Sequence, residues 1–156
     1  MRKKIITTDQ NKITNPDQNW LDLEDILEVE MTSEDASFPI ESALLAGHEK
    51  GWRAATIGKQ TIRLLFTKPQ RLQKIRLEYE ETSIDRTQEY LLRWSLNGES
   101  FQEIVRQQWN FSPSGSTIQI EEYQVELQAI TVLELIIIPD INGGDAIATL
   151  SQIQLA

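Results

Sequence analysis

The chain has 156 residues, with 40% hydrophobic and 25% charged side chains and a formal net charge of −9. That is room for one domain with a real core, and it argues against wholesale disorder. The negative balance repels nucleic acid and anionic membrane surfaces, and the absence of cysteine excludes disulfides, thiolate metal sites and Cys nucleophiles.

Residues 1–16 are polar, aperiodic and closed by Asn15-Pro16, which predicts a flexible N-terminal arm ahead of a domain over residues 17–156. The basic start, Met1 to Ile6, runs straight into Thr7, Thr8, Asp9 and Gln10. It therefore offers no apolar segment for a signal peptide, and a cytoplasmic location is the expectation. Asp17 is placed to cap a short helical turn that would carry Trp20 and Leu23 onto the body.

From Ile26 onward the dominant period is two. Ile26 to Met31 forms one candidate strand. Ile62, Leu64 and Phe66 form a second, and Ile75, Leu77 and Tyr79 a third. Between the first two, only Pro39 to Leu45 suggests a helical turn. Tyr90, Leu92, Trp94 and Leu96 continue the alternation, and Asn97-Gly98 then tolerates the positive φ of a hairpin. Phe101 to Phe111 is the return strand, stopped by Ser112-Pro113-Ser114-Gly115, and a short strand follows at Ile118 to Ile120. Ile130 to Ile138 is apolar except for Glu134, which predicts a central strand covered on both faces. Asp140 to Asp145 reads as a loop and Ile147 to Leu155 as the closing strand. Without βαβ spacing, the pattern predicts an all-β protein: an antiparallel jelly-roll β-sandwich of about eight strands. Arg63, Arg76, Arg93 and Arg106 fall at outward positions interleaved with Glu or Gln, as on a mixed, solvated sheet face.

Ser33-Glu34, the stretch Pro39 to Gly47 and Gly51-Trp52-Arg53 occur in an order that resembles the discoidin, or coagulation factor 5/8 type C, family of galactose-binding-like domains. Thr61 to Phe66 with Pro69, and Leu92 to Gly98 followed by Phe101, resemble that family's next strand and its hairpin. The stretches Gly51 to Ala55 and Arg106 to Phe111 are most similar to uncharacterised bacterial single-domain members. The resemblance covers residues 25–156 and implies a non-enzymatic module that binds a carbohydrate, or a similar polyhydroxylated ligand, through loops at one end of the sandwich. Where calcium-holding members carry two acidic ligands, this chain has Ala46 and Ser151-Gln152, so neither a metal nor another cofactor is expected.

His48 is the only histidine and stands without a nucleophile motif, so no catalytic residues are assigned. The candidate ligand-binding residues are His48, Trp52, Arg53, Asp85 and Arg86. His48 is either a hydrogen-bonding group for a sugar hydroxyl or a solvated loop residue. Trp52 with Arg53 forms a stacking platform if exposed, and packs beneath its own loop if not. Asp85 and Arg86 join the same rim if their loop meets that of Trp52. The alternative to a sugar ligand is an intracellular protein–protein interaction module. Glu80-Glu81 and Glu121-Glu122 lie on strand ends, where neighbours point to opposite faces, so neither makes a catalytic dyad.

Overall fold

The computed structural model describes residues 19–47 and 50–156. The predicted arm at residues 1–16 and the capping Asp17 therefore lie outside the described residues. In chain order the elements are β1 (Leu27–Met31), α1 (Glu41–Leu44), β2 (Trp52–Arg53), β3 (Gln60–Glu80), β4 (Arg86–Ser95), β5 (Phe101–Phe111), β6 (Ile118–Ile138), β7 (Thr149–Leu150) and β8 (Gln152–Leu155). Every strand pairing is antiparallel. The all-β sandwich expected from the alternation is the fold.

The two layers come from one sheet bent over on itself. The strand order is β1-β3-β6-β4-β5, with β8 beside β3 and a separate β2-β7 pair. The first half of β3 pairs with β1 and with residues 130–137 of β6. Its second half pairs with β8 and with residues 118–127 of β6. Register shifts between Leu65 and Lys74 mark the bend. They also switch the buried parity of β3 from Ile62, Leu64 and Phe66 to Ile75, Leu77 and Tyr79, as inserted bulge residues must. Sequence alternation splits β3 and β6 into two strands each. Pro69 and its polar neighbours interrupt the pattern while the backbone remains paired around them.

Across the fold the two layers meet through Tyr79 and Tyr90, whose ring centroids are 5.3 Å apart. Tyr90 also shares a hydroxyl hydrogen bond with Tyr123, and Gln88 Nε2 donates to Gln119 Oε1 at 3.2 Å. The apolar centre is built from Leu64, Leu72, Ile75, Leu77, Leu92, Ile130, Leu133 and Ile137, all fully buried. The bend of β3 and the hairpin after β4 close one end. In that hairpin, Ser95 Oγ accepts the Asn97 and Gly98 N–H groups, and Gly98 takes the positive φ that its position demands. The connections 32–40, 54–59, 81–85, 112–117 and 139–148 gather at the other end.

Two expectations need correction. Residues 20–23 are not helical: the Leu21 N–H donates to Leu155 O at 2.7 Å and Leu23 is buried, so the segment docks along β8. The arginine face is also not simply solvated. Glu134, the polar exception in the apolar run, sits in register between Arg63 and Arg93 and is fully buried. Arg63 Nε donates to its Oε2 at 2.6 Å and Arg93 Nε to its Oε1 at 2.8 Å.

Candidate ligand-binding site

The loop end is assembled around a serine. Ser33 Oγ accepts the backbone N–H of Ala55 at 2.9 Å and donates to Gln60 Oε1 at 2.7 Å, tying the 32–40 connection to the start of β3. Glu34 Oε2 accepts the Ile40 N–H at 2.8 Å at the head of α1. The backbones then interlock: Asp35 N–H donates to Arg53 O, and Arg53 N–H to Phe38 O. The Ser33-Glu34 pair is thus scaffold, holding β2 under the loop.

Within β2, alternation sends adjacent side chains in opposite directions. Trp52 is 1% exposed and its indole N–H donates to Ser33 O at 3.2 Å. At 1% exposure it is a core side chain beneath the loop and cannot serve as the stacking platform expected of it, although it borders the smaller pocket at that end. Gly51 before it has a φ of +73° and lies against β7–β8, where a Cβ would stand 2.7 Å from Leu150 O. Arg53 points outward and is exposed, with its guanidinium carbon 5.9 Å from the Phe38 ring centroid. Lys50 Nζ approaches the same ring at 6.0 Å.

Asp85 and Arg86 divide in the same way. Asp85 is exposed on the 81–85 loop. Arg86 is turned inward, with its side chain fully buried. Its Nε donates to Glu81 Oε1 at 2.7 Å and its Nη1 to Pro139 O at 2.8 Å, and its guanidinium carbon lies over the Phe111 ring, 4.8 Å from the centroid. Nη2 has no hydrogen-bond partner, and the buried Tyr79 hydroxyl is in the same state. Arg86 is therefore a support for the loop, not part of its rim. Burial opposes ionisation of Glu81, but the Ser83 N–H and the Arg86 guanidinium outweigh it and hold the carboxyl below its ordinary range.

A cleft of about 270 Å³ opens between these loops, lined by Arg53, Glu80, Glu81, Thr82, Ser83, Ile84, Asp145, Ala146, Ile147 and Thr149. A smaller pocket of about 120 Å³ continues from it past Phe38, Lys50 and Arg53, sharing Glu80 and Thr149. The loops of Arg53 and of residues 81–85 do meet. Of the predicted residues Arg53 lines both recesses and Trp52 touches only the smaller one; Asp85 and Arg86 line neither, and His48 lies outside the described residues. Phe38, Glu80, Ser83, Ile84 and Asp145 are additions that sequence reasoning missed. Phe38 carried one usable signal, as an aromatic in a Pro-bounded loop outside any alternation. Glu80 is exposed while Glu81 is held by Arg86, yet both line the cleft, so their position at a strand end does not separate them fully.

The Asp140 loop is a turn. The carboxylate of Asp140 accepts the Asn142 N–H at 3.0 Å, closing an Asx turn. Among the described residues no set of three or more His, Asp or Glu side chains is grouped to hold a metal ion.

With this geometry in view, comparison with solved structures gives close agreement in fold. A family 32 carbohydrate-binding module from C. perfringens NanJ in complex with galactose superposes at a TM-score of 0.62, with 14% identity over 83% of this chain and 92% of that one. The fold is a β-sandwich of the kind such carbohydrate-binding modules have. The same sandwich occurs in the family 32 module of AlyQ in complex with 4,5-unsaturated mannuronic acid, at a TM-score of 0.61 and 14% identity over 85% and 95% of the two chains. It also occurs in reduced XRCC1 bound to the DNA polymerase β catalytic domain, at 0.60 and 16% identity over 84% and 96%. No protein-family model and no curated protein sequence matches the chain. Among the described residues no helix is long and apolar enough to cross a membrane.

Proposed function

We propose that this chain is a non-catalytic module that holds a carbohydrate in the cleft at the loop end of the sandwich. The observation that carries this reading is the composition of the cleft. Hydroxyls (Thr82, Ser83, Thr149), carboxylates (Glu80, Asp145), a guanidinium (Arg53) and apolar surface (Ile84, Phe38) converge on a recess anchored to a rigid double layer. Such a mixture matches a polyhydroxylated ring, which has hydroxyls to pair and a C–H face to cover. Its support from outside the chain is that sandwiches of the same fold are solved with galactose and with an unsaturated mannuronic acid.

Glu81 is unsuited to be the acid of a glycoside-hydrolysing pair. A hydrolytic pair needs one carboxyl kept protonated by a raised pKa. Glu81, the most enclosed of the cleft carboxyls, is pushed the opposite way by Ser83 and Arg86. Titration calorimetry against a panel of mono- and oligosaccharides tests the reading. Saturable heat that disappears in Glu80→Ala is expected, and a flat response to every sugar would reject it.

A second reading, a protein-interaction module inside the cell, rests on a different surface. On the outer face of the five-stranded layer, Leu65, Leu91, Phe101 and Ile136 are half-buried around the Arg63–Glu134–Arg93 row, and Arg93 lies 4.7 Å from the Phe101 ring centroid. XRCC1 is an instance of this fold holding a protein. Substitutions on that face, such as Leu91→Glu, separate the two readings because they lie far from the cleft.

A further inference from the structure

Arginines on this protein are consistently matched with carboxylates. Arg63 and Arg93 share Glu134, Arg76 faces Glu78 at 2.9 Å, Arg86 holds Glu81 and Arg106 meets Glu89 at 3.2 Å. Arg53 and Lys50 break that rule inside the cleft. Among the described residues neither makes an ion pair or a side-chain hydrogen bond; each only flanks the Phe38 ring. Lys59, Lys68 and Arg71 are also without an ion pair among the described residues, but all three are exposed and none lines the cleft.

The distribution of acids sharpens the anomaly. The chain carries 24 Asp and Glu against 15 Lys and Arg, so acids are in excess, yet Lys50 and Arg53 close on none of them among the described residues. Glu80 lines the same recess, yet it does not close on Arg53. Glu81 is already taken by Arg86. The recess therefore holds two cations beside Phe38, Lys50 and Arg53, with Glu80 near them and Asp145 only in the larger part, so a ligand meets both signs of charge.

Resting on the carbohydrate reading, we propose that this cleft selects sugars bearing a carboxylate, that is uronic acids. The carboxylate lies at Arg53 and Lys50, and the ring hydroxyls donate to Glu80 and Asp145. Hydrogen bonds between a guanidinium and a carboxylate are stronger than those to a neutral hydroxyl, and the planar fork of arginine matches both oxygens. A neutral hexose would fill the same volume but leave both cations facing only water and an aromatic ring. Because the protein as a whole is negative, an anionic ligand is repelled at long range. The local pair of cations must then supply the selectivity, and salt must weaken it.

The test is calorimetry of the full chain with D-galacturonate and with D-galactose, in low and in high sodium chloride. The expected result is a preference for the uronate of about tenfold or more, shrinking in high salt. Arg53→Ala should abolish it and Arg53→Lys should keep part of it. Arg53 is exposed, so an unchanged melting temperature confirms that the variant is folded. If galactose binds as tightly as galacturonate, or if Arg53→Ala weakens both sugars equally, the carboxylate preference is wrong while the carbohydrate reading stands. If neither these sugars nor the wider panel binds, the carbohydrate reading fails and takes this proposal with it.

Discussion

Trp52 and Arg53 are neighbours in sequence and opposites in the fold, and so are Arg86 and Asp85. Trp52 and Arg86 form the foundation beneath the loop end, each enclosed and hydrogen-bonded to a backbone carbonyl, Trp52 to Ser33 and Arg86 to Pro139. Arg53 and Asp85 face solvent above them. A strand assigns consecutive residues to opposite faces, so two adjacent side chains that both look suited to a ligand are seldom both available to it. The foundation should respond to substitution through stability, and the rim through binding alone.

The largest effect is expected from Trp52→Ala. Emptying a fully buried indole site should cost about 3–5 kcal/mol in a denaturant titration. A loss below about 1 kcal/mol would move Trp52 to the rim. Arg86→Ala follows, at roughly 2–4 kcal/mol, because it leaves Glu81 beside an emptied site. Replacing both members together, as Arg86→Leu with Glu81→Leu, should recover part of that loss, since the removal of a buried pair is milder than its disruption. Gly51→Ala should cost about 1–3 kcal/mol, combining an unfavourable positive φ with a Cβ driven against the Leu150 carbonyl.

A smaller effect is expected on acidification. The folded pKa of Glu81 lies below its ordinary value of 4.5. Its ionised form therefore stabilises the fold fully above that value, and the contribution disappears as pH falls through the lower, folded one. Circular dichroism of acid unfolding should show Glu81→Gln less sensitive to pH in that window than the parent, and identical slopes would contradict the assignment. Smallest of all is the stability change for Arg53→Ala, expected within about 0.5 kcal/mol. A larger loss would mean that the Phe38 contact is structural and that rim and foundation are not separate.

Much of this fold could be read from the chain, and the particular residues explain why. Phe101 to Phe111 is bounded at the residues expected, because a Gly-containing hairpin and a Ser-Pro-Ser-Gly turn are local signals. The site was less readable. Arg53 was found because it stands beside Trp52 in the loop stretch Gly47 to Gly58, although the stacking role expected of that pair fails with the burial of Trp52. Glu80, Ser83 and Asp145 belong to the cleft only because segments more than 60 residues apart in the chain are brought together there.

What the sequence by itself determined is therefore the class, the strand alternation and the turns, since all three depend on side-chain periodicity and backbone freedom over a few residues. Only the tertiary structure decided that Thr61 to Phe66 and Ile75 to Tyr79 are one bent strand, that Glu134 stands in register between two arginines, and that Trp52 faces the core while Arg53 faces the cleft. Those outcomes depend on register and on bulges that shift parity. Both are set by pairing between distant strands, about which the local pattern of any one strand carries no information.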